Sequence, residues 1–180
     1  SFAFSDIEVL QTTAVPEPGD TCAVGTPRFQ LNVDTNNDGN ADGNVFVYVE
    51  LAPGVCPVGN DTGDLAQAGG PGDIPGRYDT SQLAAGTQVS TYSATAALFA
   101  ANPTWRVVGI QLLVEGGYSA LASGGDGRQA FTVSPNVQVH LAAPTSKDQC
   151  KQGGWQNLER PDGSAFKNQG DCIQYANTGK

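Results

Sequence analysis

The stretch Phe29-Gln-Leu-Asn-Val33-Asp34-Thr-Asn-Asn-Asp38-Gly39-Asn-Ala-Asp42-Gly43-Asn-Val45-Phe-Val-Tyr-Val49 decides how this chain is read. At both ends apolar and polar residues alternate with period two, the pattern of a half-buried strand. Between them side-chain oxygens recur at every second position. Asp34, Asn36, Asp38, the Asn40 carbonyl and Asp42 take places 1, 3, 5, 7 and 9 of a calcium loop, and Gly39 falls sixth, where the chain must turn sharply. Place 12 holds Val45 instead of the bidentate Glu of a helix-loop-helix site, and the flanks are strands. The segment therefore reads as a β-hairpin whose turn binds Ca²⁺. The competing reading is an ordinary Asn/Asp/Gly turn that needs no metal.

Outward from this hairpin the chain continues as strands and loops. Phe2 to Leu10 has strand character, with Phe2 and Phe4 expected on one face and Ile7 and Val9 on the other. A strand so near the first residue either ties into a sheet of its own chain or completes a neighbour's. Residues 11–25 form a Pro-, Gly- and Thr-rich loop, and residues 52–77, rich in Gly, Pro and Asp, are expected on the surface. Ser90 to Ala101 is the one expected helix, with Ser90 or Ser93 as cap and Asn102-Pro103 as stop. Trp105 to Val114 is nearly continuous in apolar residues, which predicts a strand buried on both faces. Gly117–Leu121, Gln129–Val133 and Asn136–Leu141 complete the strands. Seven or eight strands separated by Gly/Pro turns predict an all-β fold, a β-sandwich over residues 1–143. Residues 144–180 make a separate small module.

The chain has 180 residues, enough for one domain with an appendage, and 23 Gly, 11 Pro and no Met. Its net charge of −9 argues against nucleic acid and anionic membrane as partners, since both require a positive surface. No apolar run approaches the roughly 20 residues of a membrane span. Cys22 with Cys56 and Cys150 with Cys172 form sequence-local pairs, although four cysteines allow three pairings. The absence of a Cys-x-x-Cys spacing and the single His140 argue for disulfides over zinc, hence for an oxidising, extracellular setting. No basic and apolar leader opens the chain, so any signal peptide is expected to lie outside it.

Two resemblances add to this. Cys150-Lys-Gln-Gly-Gly-Trp155 together with Phe166-Lys-Asn-Gln-Gly-Asp-Cys172 resembles a short C-terminal module of secreted bacterial proteins. Pro27-Arg-Phe-Gln30, the Asp34–Gly43 turn and Val108-Gly-Ile-Gln-Leu112, in that order, resemble an uncharacterised extracellular bacterial β-sandwich family. The resemblances imply secretion and a jelly-roll-like sandwich, and they carry over no catalytic residue.

For chemistry, His140 lies in an alternating strand pattern, and Gly-x-Ser-x-Gly and His-Glu-x-x-His are both missing. Glu50 and Glu115 at strand ends are a weak basis for a glycosidase. The chain therefore reads as non-catalytic. Sugar-binding modules pack aromatic rings against pyranose faces. Tyr78 and Tyr118, both in glycine-rich surroundings, are the expected exposed pair, while Trp105 reads as core and Trp155 as packing on the Cys150–Cys172 bridge. The expected function is a secreted, calcium-stabilised module that binds carbohydrate or cell-surface material. The alternative is a fibre or matrix subunit that self-associates through its N-terminal strand, and Asp79 or Glu50 is a candidate to complete the metal shell.

Overall fold

The computed structural model describes residues 1–16, 22, 25–50, 55, 61–113, 131–133, 138–141, 143–144, 146–160 and 164–179. Its strands are β1 (Ile7–Gln11), β2 (Ala14–Pro16), β3 (Arg28–Asp34), β4 (Gly43–Tyr48), β5 (Tyr78–Asp79), β6 (Arg106–Leu113), β7 (Phe131–Val133) and β8 (Gln138–Leu141), with helices α1 (Tyr92–Ala101) and α2 (Gln169–Thr178). All pairings are antiparallel: β1 with β8, β2 with β7, and a four-stranded sheet in the order β5-β4-β3-β6. The expected strand over 117–121 lies outside the described residues, as do Glu115 and Cys56.

The alternation in β3 and β4 does what period two dictates. Phe29, Leu31, Val33, Val45 and Val47 are fully buried, while Gln30, Asn32, Asn44, Phe46 and Tyr48 turn to the other face and are only half-buried. The inward set forms one core with Phe4, Ile7, Leu10, Leu65, Tyr78, Phe99, Trp105 and Val107. Phe4 stacks on Phe99 at 4.7 Å and meets Tyr78 edge-on at 6.3 Å, and Phe99 meets Trp105 edge-on at 5.7 Å.

The N-terminal segment departs from the expected strand. Phe2 makes a single bridge to Val107, a 3₁₀ turn spans Phe4–Asp6, closed by the Ala3 N–H donating to Asp6 Oδ2 at 2.8 Å, and only then does β1 begin. The turn resets the phase, so Phe4, Ile7 and Leu10, three apart, all enter the core and Val9 does not. Both edges of β1 are bonded within the chain. One pairs with β8. On the other, the Leu10 N–H donates to Asp64 Oδ1 at 3.0 Å and its carbonyl accepts from the Leu65 N–H at 2.7 Å.

Two further expectations need correction. The described part of the 52–77 loop does not stay on the surface, because Leu65 is fully buried and Thr62 and Arg77 nearly so. It enters because Leu65 is its apolar anchor and pairs with the Leu10 backbone. β6 is not buried on both faces: Val107 is its one fully buried residue, and Gln111 is exposed. Val107, Ile110 and Leu112, opposite Val33, Leu31 and Phe29, face the core, and the residues between them turn to the sheet's other face.

Helix α1 is capped by Thr91, whose Oγ1 accepts from the Ala94 N–H at 3.1 Å, and not by Ser90 or Ser93. Ser90 pairs with Tyr78 through its backbone, and Ser93 N–H and Oγ donate to the Asp73 carboxylate at 2.6 Å each. Those bonds satisfy amide groups that a helix start leaves without intrahelical partners.

The C-terminal segment holds a helix the composition did not announce. Asn168 Oδ1 accepts from the Asp171 N–H at 2.9 Å to start α2, and Gly179 ends it in the left-handed region. Cys150 and Cys172 are bonded, and with Leu158 and Phe166 they form a second buried cluster against which Trp155, Ile173, Tyr175 and Ala176 pack. Arg160 grips Asp171 with two bonds of 2.8 and 2.9 Å and lies 4.5 Å from the Phe166 ring centre. The Lys167 amide and then the Arg160 guanidinium hold the Asp171 carboxyl below the ordinary 3.8. A depressed carboxyl contributes stability above its unfolded pKa, and that contribution is lost as pH falls through the folded value. NMR titration of Asp171 should give a midpoint below 3.8 in the wild type and a higher one in Arg160→Gln; equal midpoints would disprove this.

Candidate functional site

The Asp34–Gly43 turn hangs between β3 and β4, whose register carries Val33 opposite Gly43. Asp34 ends β3 with only 1 % of its surface exposed, while Asn36, Asp38, Asn40 and Asp42 are exposed. Asp34 Oδ1 accepts from the Asn36 and Asn37 N–H groups at 3.1 and 2.6 Å, and its Oδ2 from the Gly39 N–H at 2.7 Å. The turn thus wraps around its first carboxylate. Asn37 and Gly39 take left-handed φ values of 64° and 91°, which glycine adopts without strain and Asn tolerates. The next steps repeat the motif: Asn36 Oδ1 accepts from the Asp38 N–H at 2.9 Å and Asp38 Oδ1 from the Asn40 N–H at 2.8 Å. Asp42 closes the loop. Its Oδ2 accepts from the Thr35 N–H and Oγ1, both at 2.8 Å, and its Oδ1 from Asn36 Nδ2 at 3.2 Å. Those Thr35 bonds hold the Asp42 carboxyl below its ordinary value.

The donors are all oxygens, the loop carries three carboxylates and no Lys or Arg, and each carboxylate keeps lone-pair capacity on at least one oxygen: Asp34 Oδ2 and Asp42 Oδ1 accept one bond each, and of the Asp38 oxygens only Oδ1 accepts one. That donor set suits a hard cation such as Ca²⁺ and not a soft metal. Among the described residues no three Asp, Glu, His or Cys groups converge on one point, so the carboxylates as placed are turned to the loop's own amides. Neither Asp79 nor Glu50 joins the loop. Asp79 accepts from Tyr48 Oη at 3.1 Å and Ser81 N–H at 2.9 Å, and Glu50 accepts from the Gly25 N–H at 3.1 Å. Both belong with the Tyr48 end of β4, where burial and the Asp79 charge push the Tyr48 phenol up to about 12.

The aromatic pair expected for a sugar does not form. Tyr78 is fully buried, its Oη donates to the Leu65 carbonyl at 2.8 Å, and it packs edge-on to Phe4, so it is a core residue. The β5 position next to β4 turns it inward despite its glycine-rich neighbourhood. Tyr118 lies outside the described residues. Trp105 is 7 % exposed and packs in the core, as its place at the head of an apolar strand predicts. Among the described side chains of the four-stranded sheet, Phe46 and Tyr48 on β4 are aromatic residues that turn away from the core. The period-two pattern Val45-Phe-Val-Tyr contains that signal, since the valines take the buried face.

Cys22 is disulfide-bonded, while its expected partner Cys56 lies outside the described residues. His140 sits on β8 opposite Val9. Among the described residues no helix is long and apolar enough to cross a membrane. No protein-family model matches this chain, and no curated protein or solved structure is significantly similar to it.

Proposed function

We propose that the chain is a secreted, calcium-stabilised β-sandwich module, resembling the extracellular bacterial family named above, that binds and does not catalyse, with carbohydrate or another cell-surface component as its partner. The observation that carries the reading is the Asp34–Gly43 turn, in which alternating oxygens, a buried first carboxylate and a left-handed Gly39 recur in the order a calcium loop uses. Asp34, Asn36, Asp38, the Asn40 carbonyl and Asp42 would hold the ion, which would neutralise three clustered negative charges. The sandwich is supported by Ile7 and Leu10 of β1 sharing one core with the inner face of the four-stranded sheet. The Cys150–Cys172 bridge is compatible with an oxidising compartment.

Thermal unfolding with and without EGTA tests the metal. At a free Ca²⁺ concentration about 100-fold above the dissociation constant, binding only to the folded state adds about 2.7 kcal/mol. For a chain of this size that corresponds to a fall of roughly 5–10 °C on chelation. Ca²⁺ should restore the midpoint and Mg²⁺ should not. An unchanged midpoint would return the turn to an ordinary Asn/Asp hairpin.

A further inference from the structure

The face of the four-stranded sheet that turns away from the core carries a row of amides. Gln30 Nε2 donates to Asn32 Oδ1 and to Asn44 Oδ1, both at 3.1 Å, and Asn44 Nδ2 donates to Gln82 Oε1 at 2.9 Å. The Asn44 backbone N–H meets the same Gln82 oxygen at 3.1 Å. Register places Gln111 beside Gln30 and Gly109 beside Asn32, so the row continues onto β6 and ends at a position without a side chain. Phe46 lies next to Gln30 across the β3–β4 pair, half-buried beneath the Arg28 guanidinium, which is 4.8 Å from its ring centre.

We propose that this face binds a neutral oligosaccharide, an inference that rests on the binding reading above and names the class of ligand. A primary amide offers two N–H donors and an acceptor oxygen. The ladder uses both Gln30 donors, yet it leaves the NH₂ groups of Asn32 and Gln82 and the Gln30 oxygen without partners among the described residues. Donors and acceptors alternating over a few ångströms match vicinal hydroxyls, each of which both gives and takes a hydrogen bond. Because the amides already fix one another, a ligand does not have to freeze their rotamers, which lowers the entropic cost of binding. Charge points the same way. On a chain of net charge −9 the amide row itself, Gln30, Asn32, Asn44, Gln82 and Gln111, carries no charge, and at its Tyr48 end Arg28 faces both Asp79 and Glu50, so the face offers no excess positive charge to an anionic glycan. Phe46 adds apolar surface for a sugar ring in the same row.

Calorimetric titration of the full chain with cellohexaose, laminarihexaose, mannohexaose and chitohexaose, with polygalacturonate as anionic comparator, tests this. Binding of at least one neutral hexasaccharide is expected, weakened about tenfold by Asn32→Ala and by Gln82→Ala, the size of one or two neutral hydrogen bonds. The melting temperatures of both variants should stay near that of the wild type. Failure of all four neutral sugars to bind, binding of polygalacturonate alone, or indifference to both substitutions would overturn the inference. Chromatography of the recovered sugar keeps the two readings apart. Shortened sugar would overturn the non-catalytic reading and leave the face as a site, whereas intact but unbound sugar would overturn the face alone.

Discussion

Deleting Ser1–Leu10 is expected to abolish the fold instead of releasing an intact monomer. The deletion removes Phe4, Ile7 and Leu10, which are 2 %, 2 % and 0 % exposed and sit in the same core as Phe29, Leu31 and Val47. Truncating even one such side chain to Ala costs about 2–5 kcal/mol, and losing three exceeds or consumes the roughly 5–15 kcal/mol by which domains are stable. The deletion also strips β8 of its partner and Leu65 of its bond to the Leu10 carbonyl. Collapsed amide dispersion in NMR spectra would meet the expectation; a native-like spectrum would refute it. This bears on assembly. A subunit that lends its first strand to a neighbour would have to pull Phe4 out from between Phe99 and Tyr78 and reoccupy those contacts in another copy. Adding a peptide of residues 1–11 to the truncated chain reads this directly, since restored dispersion would mean that the segment can be supplied in trans.

Arg77→Met is expected to be the most damaging single substitution, at about 3–5 kcal/mol, the size of two lost charge-assisted hydrogen bonds to buried carbonyls. Arg77 is 2 % exposed. Its Nε donates to the Pro71 carbonyl at 3.2 Å, and its Nη1 lies 2.9 and 2.8 Å from the Tyr48 and Val49 carbonyls and also meets that of Glu50. One guanidinium thereby ties the end of β4 to the 61–77 segment beside the backbone bond from the Tyr48 N–H to the Arg77 carbonyl at 2.9 Å. Met fills much of the volume but donates nothing, so several buried carbonyls lose their partner together. Burial lowers the Arg77 pKa, and the nearby Glu50 charge opposes that fall. Arg77→Lys should recover only part of the loss, because an ammonium at the Nη1 position could serve the Tyr48, Val49 and Glu50 carbonyls but not also that of Pro71, which Nε meets. Guanidinium denaturation with unchanged slope and a lower midpoint would record the effect; an unshifted midpoint for Arg77→Met would show that the clamp contributes nothing.

The hairpin was legible because its two signals are local. Period-two alternation from Phe29 to Val33 and from Val45 to Val49 sets which residues are buried whatever the rest of the chain does, and Asp, Asn and Gly at fixed offsets set the turn. The Cys150–Cys172 bond, one of three pairings that four cysteines allow, and the packing of Trp155 on its cluster agree with the expectation from their closeness in the chain. Tyr78 was misread because its glycine-rich neighbours say turn, while its burial comes from Phe4, 74 positions away in the sequence, and from the Leu65 carbonyl. Helix α2 was missed since its interior is polar and holds a glycine, yet Asn168 three residues before Asp171 and Gly179 at the end are start and stop signals that could have found it.

Thus the sequence by itself determined the strands flanking the Asp34–Gly43 turn and the oxygen-rich turn between them, properties of residues within a few positions of each other, and pointed to the pairing of Cys150 with Cys172 without deciding it. Only the tertiary structure decided that Phe4, Ile7 and Leu10 share one face, that Arg77 is buried, and that Gln30, Asn32, Asn44 and Gln82 form one ladder. Those facts depend on which strands lie side by side, and register between distant segments follows from burying the whole core at once, a constraint that no local window of sequence contains.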